Sequence, residues 1–251
     1  MAHQFLFLHG WTMHGGIFDD LISRLGDNCI CAAPDLPGHG SAKARPPTLD
    51  DCADVLASAL DALGPDPVIP VGWSMGAAAV WRYIRRHGTG KVTGLVTVDM
   101  SPRVSPAKDW PHGLIGQTEE SVAASTARFE TDWHSATESI AATMFGSPEG
   151  APRFSRSDAL RIIRGHSPAA MRALWHDLVA LDERALIPQI DVPYLVCSGQ
   201  RSRVYPEAAS RWIADQAPQS RHAVFEMSGH SPHLEEPAAF AHTLLDFADQ
   251  L

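Results

Sequence analysis

The residues best suited to chemistry are a serine and the two glycines that frame it. Residues 72–76 read Gly-Trp-Ser-Met-Gly, which fits the pattern G-x-S-x-G with Ser74 at its centre. The apolar run 68–71 predicts a buried strand, and the alanine-rich stretch after the serine predicts a helix to about Arg86. A serine on a tight turn between a strand and a helix is typical of a nucleophile elbow. The alternative is an ordinary Gly-Ser loop of an α/β protein.

A serine hydroxyl is a weak nucleophile and needs a general base within hydrogen-bond reach. Of the 13 histidines, His230 is the best placed, because it lies in the loop between the last predicted strand and the last predicted helix. That loop and Ser74 both fall at the carboxyl ends of strands, where ligands bind in open α/β sheets. The alternative for His230 is a surface loop histidine, and His233 is the backup base.

Acyl transfer also needs hydrogen-bond donors for the oxyanion. We expect one from the backbone N–H of Met75, directly after the nucleophile, and one from Trp11, in the loop after the first predicted strand. His9 precedes that loop. We expect it to brace the loop by hydrogen bonding and to contribute to the substrate site.

Alternating strand and helix patterns must hold these loops in place. Strands are predicted near residues 4–9, 28–33, 67–72, 92–98, 192–198 and 220–226. This alternation favours a parallel sheet with helices on both faces. Residues 104–188 lack strand patterns and carry helical ones, over 119–145, 157–164 and 168–181. We therefore predict an α/β fold with a core of residues 1–103 and 189–251 and a helical cap of residues 104–188.

The amino-acid composition and charge limit the classes of partner that we expect for this chain. The chain has 251 residues, 45% of them hydrophobic, and a net charge of −9, which disfavours a nucleic-acid partner. No run of 18 apolar residues predicts a membrane helix, and the N-terminal residues do not resemble a signal peptide. The four cysteines lack metal-ligand spacing, so we expect buried reduced thiols in a cytoplasmic protein.

Four motifs together resemble the α/β-hydrolase superfamily. They are residues 8–11 (Leu-His-Gly-Trp), 35–41 (Asp-Leu-Pro-Gly-His-Gly-Ser), 72–76 and 229–237 (Gly-His-Ser-Pro-His-Leu-Glu-Glu-Pro). Within the superfamily the chain is similar to the carboxylesterase branch that includes pimeloyl-acyl-carrier-protein methyl esterases. The resemblance implies a serine esterase that forms an acyl-enzyme on a small ester. It implies no metal or other cofactor, an acyl-carrier protein as a partner, and a monomer or homodimer.

Other activities stay open for this fold. The same triad could open a lactone, cleave a carbon–carbon bond or support perhydrolysis, and some proteins of this fold bind a small ligand without turnover. Ser74 disfavours the dehalogenase and epoxide-hydrolase branches, which use an aspartate nucleophile at that position. Release of p-nitrophenol from a short acyl ester would separate an enzyme from a receptor.

Two departures from the family pattern are visible. The family's first two strands are missing, which predicts a six-stranded, all-parallel sheet. Ser202 stands where the family normally has its catalytic carboxylate. Some members place the acid after the strand that follows the elbow helix, and in this chain that residue is Asp99, with Glu207 the next candidate. The order Ser74, Asp99, His230 is a known triad order; the alternative is a Ser-His dyad.

Large apolar side chains of the predicted cap are expected to serve mainly as packing, with a few lining an acyl pocket. For the substrate site we select Trp73, Trp110, Phe145 and Trp175 in addition to His9. The cap also carries Arg156, Arg161 and Arg164 at helical spacing. They form either a solvated face or a docking patch for an acidic carrier protein.

Overall fold

A computed structural model describes residues 2–42 and 47–251 of the chain, which contain eight strands. The strands are β1 (His3–Leu8), β2 (Cys29–Ala32), β3 (Ile69–Trp73), β4 (Leu95–Val98), β5 (Gly150–Ala151), β6 (Phe154–Ser155), β7 (Tyr194–Gly199) and β8 (Ser220–Phe225). Six of them form one parallel sheet in the order β2-β1-β3-β4-β7-β8. Every neighbouring pair in the large sheet is parallel. The predicted six-stranded parallel sheet is confirmed. Met1 and residues 43–46 of the predicted core lie outside the described residues.

Ten α-helices belong to the described part of the chain. They are α1 (Asp19–Leu25), α2 (Leu49–Ala62), α3 (Met75–His87), α4 (Glu119–Thr131), α5 (Trp133–Thr143), α6 (Arg156–Gly165), α7 (Pro168–Val179), α8 (Glu207–Gln216), α9 (Pro232–Glu235) and α10 (Pro237–Ala248). Short 3₁₀ helices cover Gly15–Phe18 and Ile187–Gln189. Thr48 caps the N-terminus of α2, since its hydroxyl accepts a hydrogen bond from Asp51 N.

Both faces of the sheet are covered, as the apolar strand sequences require. Side chains alternate along β1, so Phe5 and Phe7 join the core beneath α1 and α10, whereas Leu6 and Leu8 join the core beneath α2, α3 and α8. Because β1 contributes side chains to the cores on both faces of the sheet, both faces are closed by packing. Loops can therefore gather at the carboxyl ends of the strands.

The segment 104–188 departs from the prediction in two ways. It is not entirely helical, because β5 and β6 form a short antiparallel hairpin between α5 and α6. The helical pattern predicted over 119–145 is two helices, interrupted at Asp132, whose φ of −145° leaves the helical region. The Asp132 carboxylate accepts a hydrogen bond from Ser135 N and so starts α5. The division into core and cap remains a proposal.

The four cysteines are free thiols, with Cys52 and Cys197 buried. Among the helices of residues 2–42 and 47–251, none combines the length and the apolar character needed to cross a bilayer.

A buried hydrogen-bonded group ties helix α3 to the sheet and gives a test of the fold. The Tyr194 hydroxyl accepts from Trp81 Nε1 at 3.0 Å and pairs with the Thr97 hydroxyl at 2.8 Å. We expect Tyr194→Phe to leave both partners unsatisfied and to lower the free energy of unfolding by about 1–3 kcal/mol in urea titrations. Tyr83→Phe is the control, because the Tyr83 hydroxyl bonds to none of the described residues. Equal stability of the two variants would contradict this account.

Candidate active site

Ser74 occupies a strained turn between β3 and α3. Its backbone has φ 52° and ψ −119°, a conformation uncommon for a residue with a side chain. A Cβ on Gly72 would lie 2.5 Å from Ala77 N, and one on Gly76 would overlap the carbonyl oxygen of Leu8. Glycine is therefore required on both sides of the serine. This strand-turn-helix geometry is the one that the G-x-S-x-G pattern predicts.

His230 follows β8 and faces Asp99, which follows β4. The distance from His230 Nδ1 to Asp99 Oδ2 is 2.6 Å, and both residues are buried. The indole Nε1 of Trp73, the residue before the nucleophile, donates to the backbone carbonyl of His230 at 2.7 Å. The elbow thus holds the histidine loop directly. Glu207, the other candidate acid, forms an ion pair with Arg211 instead.

Hydrogen bonds hold both the backbone and the carboxylate of Asp99. Its N–H donates to the carbonyl of Cys197 on β7 at 2.8 Å, and its φ of 46° turns the chain as it leaves β4. Gly199 N points to Asp99 Oδ1 at 3.4 Å. The hydroxyl of Ser202, at the family's usual acid position, donates to Asp99 Oδ2 at 2.6 Å. The carboxylate from β4 therefore reaches the location that a residue after β7 would occupy.

Two buried histidines brace the loop after β1. His9 Nε2 accepts from Leu36 N at 2.9 Å while its Nδ1 donates to Gly10 O, and His39 Nε2 accepts from Thr12 N at 3.1 Å. Burial lowers the pKa of His9 to about 4, and burial likewise lowers the pKa of His39. Both rings are neutral at pH 7, so each can accept a backbone hydrogen bond. The bracing role expected of His9 agrees with this geometry.

The two backbone donors expected for an oxyanion hole, Trp11 N and Met75 N, form no hydrogen bond to another group in the described part of the chain. Met75 is the first residue of α3, where an N–H group has no partner within the helix. Trp11 is anchored through its side chain, because its indole Nε1 donates to Met171 O at 3.0 Å. Neither amide is therefore occupied by another group of the described residues, and Trp11 lines the cavity beside Ser74.

Ser74 and His230 line one cavity of about 240 Å³. Its wall is formed by the loops at the strand ends and by the helical segment. The other lining residues are Gly10, Trp11, Thr12, Trp73, Leu114, Ser125, Arg128, Phe129, Ala136, Ser139, Ile140, Thr143, Met144, Trp175, Leu178, Val204 and Tyr205. Most of this surface is apolar, and the lining includes the charged side chain of Arg128.

The structure places two of the five predicted substrate-site residues at this cavity, Trp73 and Trp175, and the other three do not line it. His9 is fully buried, with both ring nitrogens occupied by the backbone. Trp110 packs edge-on against Trp212, and its Nε1 donates to Arg103 O. Phe145 is buried in the core near Phe154.

Several cavity residues escaped the sequence analysis. Tyr205 comes three residues after Ser202 in the same loop, so the family's acid position could have pointed to it. Ser125 and Arg128 share one face of α4 through their i, i+3 spacing, which only becomes informative once that face is known to meet the cavity. Phe129, on the same face, is one of the large apolar side chains of the predicted cap. In residues 2–42 and 47–251, no three His, Cys, Asp or Glu side chains gather as a metal-binding group.

A half-buried carboxylate fastens the histidine loop to the segment that follows α5. Glu235 Oε1 accepts from Gly146 N and Oε2 from Gly229 N, each at 2.7 Å. The Ser231 hydroxyl donates to Met144 O at 2.9 Å. Burial raises the pKa of the Glu235 carboxyl, and the backbone donors oppose that rise. The loop that carries the histidine and the segment that carries Met144 are thus held as one piece.

The chain belongs to the alpha/beta hydrolase family, whose model matches residues 5–243. It is similar to pimeloyl-[acyl-carrier protein] methyl ester esterase of Chromobacterium violaceum, with 32% identity over 95% of this chain and 91% of that protein. It also resembles the solved esterase of Exiguobacterium antarcticum, with TM-score 0.89 and 23% identity over 98% and 92% of the two chains. The enol-lactonase of Burkholderia xenovorans LB400 gives TM-score 0.83 and 18% identity over 98% and 91%. These structural likenesses concern the fold alone.

The family membership confirms the resemblance drawn from the four motifs. It also confirms the α/β-hydrolase fold expected from the strand and helix alternation.

His233, the backup base, is buried beside the site without a hydrogen bond to either ring nitrogen in the described part of the chain. Its ring packs on Trp73, with centroids 4.7 Å apart, and on Phe18 at 5.0 Å. Burial lowers its pKa from 6.5 to about 3. It is therefore a packing residue and stays neutral when the protein is folded.

This lowered pKa predicts a pH-dependent loss of stability. Below pH 6.5 the unfolded chain binds a proton at His233 that the folded chain does not bind, so stability falls as the pH falls from 6.5 toward about 3. We expect His233→Phe to remove up to about 1.4 kcal/mol per pH unit from this slope. Urea unfolding of both proteins at pH 7.5, 6 and 5 measures it. Parallel stability curves would rule out the burial of a neutral His233.

Proposed function

We propose that the protein is a serine carboxylesterase that uses Ser74, His230 and Asp99 as a catalytic triad. The observation that carries the proposal is the 2.6 Å contact between His230 Nδ1 and Asp99 Oδ2, beside a cavity that Ser74 and His230 share. An imidazole oriented by a buried carboxylate is the base that a serine nucleophile requires. The curated relative named as a methyl ester esterase supports an ester as substrate.

The mechanism follows from these positions. Ser74 Oγ attacks the ester carbonyl while His230 Nε2 accepts its proton, and Asp99 stabilises the imidazolium through Nδ1–H. The N–H groups of Trp11 and Met75 donate to the oxyanion. His230 then protonates the leaving alcohol, and water, deprotonated by the same ring, releases the acid from Ser74.

The cavity supports a small apolar acyl group. Its volume of about 240 Å³ lies below the roughly 300–1,000 Å³ of drug-sized pockets, and aromatic side chains form much of its wall. Trp11, Phe129 and Trp175 form one aromatic cluster on the side of the helical segment. Residues 104–188 act in this proposal as the predicted cap over a core of residues 1–103 and 189–251. Activity in the cytoplasm, as a monomer or homodimer, remains part of the proposal.

The triad is tested with a short p-nitrophenyl ester, methyl esters and lactones. We expect Ser74→Ala and His230→Ala to lower kcat by several orders of magnitude, and Asp99→Asn by about 10⁴-fold, because the imidazole loses its correct tautomer. Glu207→Gln is the matched control, since Glu207 is the competing carboxylate and pairs with Arg211; its kcat should stay within about twofold. A Ser74→Ala variant that folds and keeps wild-type turnover would refute the proposal. Faster turnover of lactones than of esters would favour a lactonase with the same triad.

The finer proposal is that the ester is linked to an acyl-carrier protein, which docks on the arginines of α6. In the structure Arg156 and Arg164 both pair with Glu138, and Arg161 pairs with Asp158. Three positively charged arginines therefore pair with two carboxylates, which leaves one positive charge unbalanced in this group. Such a patch would act on the association rate and would weaken with salt.

Charge reversal separates docking from chemistry. Replacing Arg156, Arg161 and Arg164 by Glu should lower kcat/KM for carrier-linked methyl esters by at least about tenfold and weaken its salt dependence. Turnover of p-nitrophenyl esters should not change. The matched control applies the same charge change to Arg24, Lys91 and Arg211. Equal losses in both triple variants, or on both substrates, would leave a hydrolase of free small esters.

A further inference from the structure

The carboxylate of Asp99 depends on one side chain that the mechanism above does not use. Asp99 Oδ2 receives two contacts of 2.6 Å, one from His230 Nδ1 and one from the hydroxyl of Ser202. Among the residues that the structure describes, its other oxygen, Oδ1, receives only the long contact from Gly199 N at 3.4 Å. The short bonds therefore converge on the single oxygen that faces the histidine.

The proton of the Ser202 hydroxyl has a defined direction. A hydroxyl has one donor and two acceptor lone pairs. Val204 N and Tyr205 N approach Ser202 Oγ at 3.3 and 3.4 Å, so the backbone occupies its acceptor side. The O–H is left to donate to Asp99. Ser202 N in turn donates to Gly199 O at 3.1 Å, which closes the turn after β7 and fixes the side chain.

The need for such a group follows from where the acid originates. Asp99 lies at the end of β4, and its side chain must cross to the end of the neighbouring strand β7 to meet His230. Asp99 is 2% exposed, so a buried carboxylate at that place must be satisfied by protein donors. Asp99 Oδ2 would be free to rotate away from His230 if nothing held it from the β7 side.

We propose that Ser202 is a positioning residue, whose hydroxyl holds Asp99 Oδ2 against His230 Nδ1 in place of the carboxylate that the family usually carries there. This inference rests on the proposed triad. Ser202 touches neither substrate nor reacting atoms, and it acts through Asp99. Its contribution belongs to the chemical step, because the orientation of His230 matters for proton transfer and less for binding of the ester.

The first test compares three substitutions on a p-nitrophenyl ester. Ser202→Ala should lower kcat by about 10- to 100-fold with KM within about twofold, the range for loss of a partner that orients a functional group. Ser202→Thr, which keeps the hydroxyl, should recover most of that loss. Ser198→Ala is the matched control, since Ser198 is buried on β7, the strand that precedes Ser202, and bonds to His222 instead. Wild-type kcat in Ser202→Ala, or an equal loss in Ser202→Thr, would overturn the inference.

A double-mutant cycle excludes a merely structural role. If Ser202 acts only through Asp99, adding Ser202→Ala to Asp99→Ala should cause no further loss of kcat. Multiplied losses would overturn the inference, provided that thermal unfolding shows each variant folded. Failure of the proposed triad has a different signature, because Asp99→Ala would then retain wild-type kcat before Ser202 is changed.

Discussion

The close contact between β1 and the turn after β3 is the constraint on which the site depends. A Cβ on residue 76 would overlap the carbonyl of Leu8, and a Cβ on Gly10 would lie 3.0 Å from the Trp73 ring and 3.3 Å from Ser74 Cβ. These two neighbouring strands approach so closely that the turn with Ser74, whose φ is 52°, and the loop with Trp11 lie side by side. The proposed nucleophile and one expected oxyanion donor therefore share a single packing contact.

The second half of the site is assembled by hydrogen bonds between loops. The indole of Trp73 holds the backbone of His230, and Asp99 reaches the histidine from β4 with Ser202 beside it. Four strands contribute, β3, β4, β7 and β8; Trp73, Asp99 and His230 are buried and Ser202 is half-buried. A carboxylate taken from a different strand can serve the same histidine because adjacent parallel strands end side by side, so the distance between alternative acid positions is one strand spacing of about 4.8 Å.

The sequence predicted the parts of this arrangement that local rules govern. The six strands and the elbow around Ser74 each follow from residue type and spacing within a few positions. The break at Asp132, the β5–β6 hairpin and the burial of Trp110 and Phe145 depend on contacts across long stretches of chain, which periodicity does not encode. Asp99 was accessible to sequence reasoning because a family pattern named its place, whereas the hydroxyl proton of Ser202 could be assigned a direction only once its backbone neighbours were known.

The Glu235 carboxylate has a mechanical consequence. It joins Gly146 to Gly229, so the end of α5 cannot swing outward without dragging the histidine loop with it. The wall beside Met144 therefore keeps its position relative to His230, and a change in the width of the cavity on this side would displace the histidine loop as well.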